Sequence, residues 1–292
     1  MKNLINYYYN LYPEKIYQNE NNYYFFINKI RYSFVLLKEE IDLNRIYYMH
    51  LNILNSKMYV HPIILNKDNY FVTQLNEKKY ILMQTLYYDR KINIEDLFLF
   101  NKTQLLSKNP NWQELWSKKN DYIEYQINRL ENKYKIIKNS INYYLGLGEN
   151  AIELINITNP QNIPMYYSHR RIDKKSTTYD FYNPLNIIID SKVRDVAEYL
   201  KQKFFIGEDI NKDLDFFLTN TKLNTEEYIL FLARMLYPTY YYDLFEKIIK
   251  NKAKEMEIFN ITNKVTEYEN IIKKIYKYYK SFIKIPEIEW LE

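Results

Sequence analysis

The sequence predicts an α+β protein in two parts, a small β-rich lobe over residues 1–90 and a larger, mostly helical lobe over 91–292. Three observations predict it. Aromatic and β-branched runs broken by polar turn residues fill 23–86, and apolar positions at helical spacing dominate from Trp112 onward. Downstream of residue 100 one short β-branched run, Leu185-Asn186-Ile187-Ile188-Ile189, stops at a carboxylate, Asp190.

The elements follow in order. Residues 14–37 read as short strands, with 23–27 and 31–37 flanking Asn28-Lys29 as a hairpin turn. Over 42–57, Leu43, Ile46, Tyr47, His50, Ile53 and Leu54 keep helical spacing, and Asp42 stands where an N-cap belongs. Strand-like runs at 60–65, 70–75 and 80–86 are parted by Asn66-Lys67-Asp68-Asn69 and Asn76-Glu77-Lys78-Lys79, so 14–90 should hold a five-stranded sheet. Trp112, Trp116, Ile123, Ile127, Leu130, Tyr134, Ile137 and Ile141 then lie on one stripe of a long helix. The run Gly146-Leu147-Gly148-Glu149-Asn150 follows a helix, the wrong context for a phosphate loop, and reads as a helix break with a new start near Asn150. Further helices are expected at 193–205, at 225–236 behind the Asn224/Glu227 capping pair, at 243–259 and at 265–283.

Composition excludes several functions. Hydrophobic residues make up 47% of the 292, so a sizeable core can form. With 41 Lys and Arg against 36 Asp and Glu, the net charge of +5 is too slight for a nucleic-acid footprint. The absence of cysteine removes disulfides, thiolate metal sites and Cys nucleophiles. No run of eighteen apolar residues and no signal-like start occurs, so an intracellular protein without a transmembrane segment is expected.

Five segments carry a family resemblance: Trp112-Gln113-Glu114-Leu115-Trp116, the stretch from Tyr143 to Ile152, Ser168-His169-Arg170-Arg171, the stretch from Asp190 to Leu200, and Ala233-Arg234-Met235-Leu236-Tyr237-Pro238. In order and spacing they resemble the CotS/YutH-type spore-coat proteins of Firmicutes, and most closely the YutH type. That family is built on the aminoglycoside-phosphotransferase-like, protein-kinase-like fold. The resemblance therefore implies a two-lobed kinase-like architecture, with 166–200 as the region equivalent to the catalytic loop and metal-binding strand.

Phosphoryl transfer needs a Lys on the phosphates, a Glu to hold it, an acid beside the acceptor hydroxyl and Asp/Asn ligands for magnesium. The resemblance puts His169-Arg170-Arg171 where the fold carries His-Gly-Asp. Arg171 thus replaces the catalytic Asp, and a guanidinium cannot accept a proton. Ser176 stands where the metal-binding Asn would be. Lys38 is the one strand lysine suited to nucleotide, and helix 42–57 offers it no Glu. The only glycines, Gly146, Gly148 and Gly207, leave the first lobe without a Gly-rich loop. Asp190 matches the metal-binding Asp. It is expected either to ligate magnesium or, more economically, to pair internally with Arg170, Arg171 or Arg194. Asp195 matches a helix-start Asp that holds the loop backbone, a structural role, and His50 and His61 read as packing or surface residues.

The expected protein is a kinase-like component of the spore coat that is catalytically inactive. It would bind no nucleotide or metal, take other coat or sporulation proteins as partners and be made in the mother-cell cytoplasm. One alternative is a divergent phosphotransferase that uses ATP, magnesium at Asp190 and Asp173 or Asp180 as the proton acceptor. A third reading is a helical partner-binding module with an accidental likeness to phosphotransferases.

Overall fold

Alternating large apolar residues along the N-terminal segment build the first sheet. In this computed structural model, which describes residues 1–37, 42–85, 89–100, 102–172 and 176–292, the strands are β1 (Ile16–Asn19), β2 (Asn22–Ile27), β3 (Ile30–Leu36), β4 (Ile63–Ile64), β5 (Thr73–Leu75) and β6 (Lys78–Thr85). They pair antiparallel in the order β1-β2-β3-β6-β4, and β5 pairs with β6. The expected strand at 60–65 shrinks to two residues and that at 70–75 to three, while Ile16–Asn19 adds the edge strand that makes the sheet six-stranded.

Two-residue turns set the register. Ile27 faces Ile30 across Asn28-Lys29, and Leu75 faces Lys78 across Asn76-Glu77. All four turn residues have positive φ, the twist that matches right-handed strands.

Strand β6 is buried on both faces because its odd and even residues serve different cores. Tyr80 and Leu82 join Phe25, Phe34 and Ile5, with Phe34 and Tyr80 stacked at 4.6 Å. Ile81 and Met83 join Leu37 and Ile63, with Tyr47, Phe71 and Leu185 packed around them. Helix α1 (Lys2–Tyr9), which polar Asn and Tyr residues concealed in the sequence, supplies Ile5. Helix α2 (Leu43–Asn55) begins as expected, with Asp42 accepting from the Arg45 N–H at 3.1 Å. Each fully buried side chain of this size contributes about 1.5–3 kcal/mol.

The chain divides into two compact units, Met1–Thr103 with Lys175–Ile188 and Gln104–Lys174 with Ile189–Glu292. The returning segment carries α5 (Thr178–Phe181) and is tied to the first unit through Asp89, which accepts from Thr178 Oγ1 at 2.9 Å and the Tyr179 N–H at 3.0 Å. His61 and His50 are both buried there. Burial lowers each pKa to about 4, and His50 Nε2 accepts the Ile63 N–H at 3.2 Å.

The second unit is helical. It holds α3 (Trp112–Asn128), α4 (Lys135–Asn156), α6 (Val193–Phe205), α7 (Asn211–Asn220), α8 (Thr225–Leu236), α9 (Thr239–Ile249), α10 (Phe259–Thr262) and α11 (Val265–Lys280). Between them run β7 (Met165–His169) and, with its last three residues, β8 (Ile187–Ser191); the two strands pair as a two-stranded sheet. The long helix expected from residue 112 is two helices interrupted at 129–134. The helix expected over 243–259 starts at Thr239 and stops at Ile249.

The helix break expected at the glycines is not there. Helix α4 runs through Gly146 and Gly148. Gly148 serves close approach instead, since a Cβ would lie 2.7 Å from Asn120 Nδ2 and 2.9 Å from Tyr242 Oη. Helix α8 is the unit's centre, with Ile229 through Leu236 all buried and α4, α6 and α11 packed around it. Its start is the anticipated capping box, Asn224 accepting from the Glu227 N–H and Glu227 from the Asn224 N–H. Among the described residues no helix is long and apolar enough to cross a membrane.

Candidate functional site

The ends of β7 and β8 and the first turn of α6 bring His169, Asp190, Arg194 and Asp195 together within the second unit. Asp195 clamps the end of β7: Oδ1 accepts the His169 backbone N–H at 3.0 Å, and Oδ2 lies 2.7 Å from His169 Nδ1. Both side chains are buried. Arg194, one residue earlier, donates through Nε to the His169 carbonyl at 3.0 Å and through Nη2 to the Arg170 carbonyl at 3.3 Å. The loop after β7 is thus held by its backbone from α6.

Asp190 is 3% exposed, and each of its oxygens meets a cation. Oδ2 accepts from Arg194 Nη1 at 3.0 Å and lies 3.5 Å from Trp112 Nε1. Oδ1 accepts from Arg234 Nη2 at 2.5 Å and from the Ser191 N–H at 2.7 Å. Burial alone would raise the pKa of this carboxyl, but the charges of Arg234 and Arg194 outweigh it and hold the pKa below its ordinary value. Burial likewise lowers the pKa of Arg234.

Arg234 was not among the partners expected for Asp190. It sits near the end of α8, and its guanidinium lies 5.7 Å from the Trp112 ring and 5.8 Å from the Trp116 ring. Trp116 in turn stacks on Tyr237 at 4.5 Å. The i, i+4 spacing of the two indoles on α3 presents both to the same cation. Both segments, Trp112–Trp116 and Ala233–Pro238, stand out in the sequence, but nothing there joins one to the other. Next to the cluster, Lys201 is buried and its Nζ donates to the Arg234 carbonyl at 2.8 Å, the Tyr237 carbonyl at 3.2 Å and Glu198 at 2.8 Å. It satisfies carbonyls that the end of α8 leaves open.

The other sequence candidates fall elsewhere. Arg171 forks onto Asp243 of α9, with Nη2 to Oδ1 at 2.8 Å, and its side chain is 64% exposed. Arg170 is exposed, and the site takes only its backbone carbonyl. Of the three arginines considered for Asp190, Arg194 alone is paired with it. Asp180 lies in the first unit, where it accepts the Thr177 N–H at 3.1 Å in a capping box. Ser176 is buried, and Lys38 and Asp173 lie outside the described residues. Among the described residues no three His, Cys, Asp or Glu side chains gather as metal ligands.

No curated protein matches the chain. Solved structures do: an aminoglycoside phosphotransferase from Alicyclobacillus acidocaldarius superposes with a TM-score of 0.66 at 9% identity, over 92% of this chain and 93% of that one. Spectinomycin phosphotransferase in complex with ADP and spectinomycin gives 0.57 at 12% identity over 97% and 93%. Choline kinase from Streptococcus pneumoniae gives 0.53 at 10% identity over 92% and 97%. Identities this low establish the fold, which is kinase-like, and leave function to the site. The family described as "Spore coat putative kinase YutH" matches residues 2–281, nearly the whole length, and the chain belongs to that family of spore-coat kinase-like proteins.

Proposed function

We propose that this chain uses a phosphotransferase scaffold as a binding platform for other proteins of the spore coat and does not transfer phosphate. The observation that carries the reading is Asp190, whose two oxygens are engaged by Arg234 and Arg194. Magnesium asks for a near-octahedral set of oxygen ligands. Around this carboxylate stand two guanidiniums, an indole N–H, a backbone N–H and the Ser191 hydroxyl, so the surroundings do not fit a divalent cation.

Two further departures point the same way. The acid of the catalytic loop is replaced by Arg171, which is committed to Asp243 and cannot take a proton from an alcohol. Helix α2, over Leu43–Asn55, contains no glutamate to hold a phosphate-binding lysine. What remains is a kinase-like scaffold with a neutralised centre, suited to presenting surfaces within the coat.

The test is a melting-temperature titration of the purified chain with ATP, ADP and GTP, with and without magnesium. A specific ligand at a hundredfold its Kd stabilises the state it binds by about 2.7 kcal/mol, which is readily seen. The expected result is no magnesium-dependent shift with any of the three. A magnesium-dependent rise that disappears in Asp190→Asn would instead favour a divergent phosphotransferase that still uses Asp190.

A further inference from the structure

A cleft of about 940 Å³ opens in the second unit beside the loop after β7, α6 and α9. Its lining carries nine cationic side chains and four carboxylates, an excess of five. Asp190, which pairs with two of those cations, lowers the local excess to four.

The four carboxylates are already engaged. Glu198 holds Lys201 at 2.8 Å, Asp243 holds Arg171, Glu246 holds Lys119 with Lys250 at 3.4 Å, and Glu257 accepts the Lys254 N–H at 2.8 Å. Arg194 and Arg234 are turned onto Asp190. Three exposed cations are left, and none has a side-chain partner among the described residues: Arg170 in the loop after β7, Lys247 in the last turn of α9 and Lys252 just beyond it.

We infer that this cleft binds an acidic peptide segment of a protein partner. A small-molecule site is enclosed and mostly apolar, with a few converging polar groups. This one is open and dense in charge, with its uncommitted cations on two stretches of the wall, the loop after β7 and the end of α9, so an extended anionic chain meets more of them than a compact ligand. Flexible lysines suit such a partner as well, because they act as point charges without fixed fork geometry. The inference rests on the platform reading and names the chemistry of what the platform holds.

The experiment is fluorescence anisotropy with a labelled oligoglutamate peptide, with an oligolysine peptide as control and inorganic phosphate and magnesium-ATP as competitors. The glutamate peptide should bind and the lysine peptide should not. Raising salt from about 50 to 300 mM should weaken binding at least ~10-fold. The variant Lys247→Glu/Lys252→Glu should lose ~10-fold or more in affinity. Lys212→Glu/Lys277→Glu, an equal charge change at exposed positions away from the cleft, should lose less than ~2-fold.

Unchanged melting temperatures would show that these surface variants still fold. Absent binding, or equal losses in the two double variants, would overturn the inference. So would displacement by phosphate or magnesium-ATP below millimolar concentration, which would assign the cleft to a small anion. Failure of the peptide arm without ATP turnover removes only this inference, whereas ATP turnover removes the platform reading beneath it.

Discussion

Replacing Arg234 by methionine isolates the interaction at the centre of the site. Methionine keeps much of the volume between Trp112 and Trp116 and removes the charge that lies 2.5 Å from Asp190 Oδ1. The carboxylate would then be buried with Arg194 as its single cation, and Arg194 lies on the solvent side, its side chain 24% exposed against 4% for Arg234. Breaking a buried pair by removing one partner costs about 3–5 kcal/mol, because the survivor keeps its desolvation penalty. For a chain of this size that corresponds to a melting temperature lower by roughly 5–8 °C.

Urea unfolding at pH 7 measures the loss, and its pH dependence identifies the cause. The pKa of Asp190 is lowered in the folded protein, so the stability it supplies is present above the unfolded value of 3.8 and is lost as pH falls through the folded value. Without Arg234 the carboxyl protonates more readily, so the gap between variant and wild type should narrow as pH falls toward 4. Pairing the change with Asp190→Leu should recover part of the loss, since an apolar replacement of both partners removes the uncompensated charge. A loss below about 1 kcal/mol at pH 7, or a gap independent of pH, would refute the reasoning.

Other expectations can be checked on the same material. Gly148→Ala should destabilise by about 1–3 kcal/mol in urea, because the added Cβ meets Asn120 and Tyr242 at 2.7–2.9 Å. Gly146→Ala, with nothing within 4 Å, should be neutral or stabilise by up to about 1 kcal/mol through helix propensity. His50 and His61 have folded pKa values of about 4, so their stabilising effect is complete above the unfolded value of 6.5 and is lost as pH falls from there to about 4. Each should cost up to about 1.4 kcal/mol per pH unit in that window, and His50→Gln should flatten the measured slope by about one proton. Lys201→Met should cost about 3–5 kcal/mol, read by thermal melting, since it strands Glu198 and uncaps the carbonyls of Arg234 and Tyr237.

Local chemistry made part of this legible in sequence. Asp42 and the Asn224/Glu227 pair mark their helices because a short polar side chain before an apolar period satisfies open N–H groups. The Asn28-Lys29 turn was legible because a polar dipeptide interrupts two aromatic and β-branched runs, and Asn tolerates the positive φ such a turn needs. Helix α1 was hidden because Ile5 is its only buried residue, too little for a period to show. The interruption at 129–134 was hidden because the apolar stripe continues through Leu130 and Tyr134 with neither Gly nor Pro. At the site, Asp190, Arg194 and Asp195 lie within six residues and could be connected by eye. Arg234 could not, since only the packing of α8 against α6, which follows β8, brings a residue 44 positions away onto the same carboxylate. The glycines misled because Gly serves both as a C-cap and as a point of close helix approach, and the choice depends on Asn120 and Tyr242, far off in sequence.

The most direct test of the central claim is transfer of labelled γ-phosphate from ATP, with magnesium or manganese, to water and to a panel of small hydroxylated acceptors. If Arg234 and Arg194 neutralise Asp190 in place of a metal ion, label should be released no faster than by the Asp190→Asn variant. Turnover on any acceptor that Asp190→Asn abolishes would contradict the account.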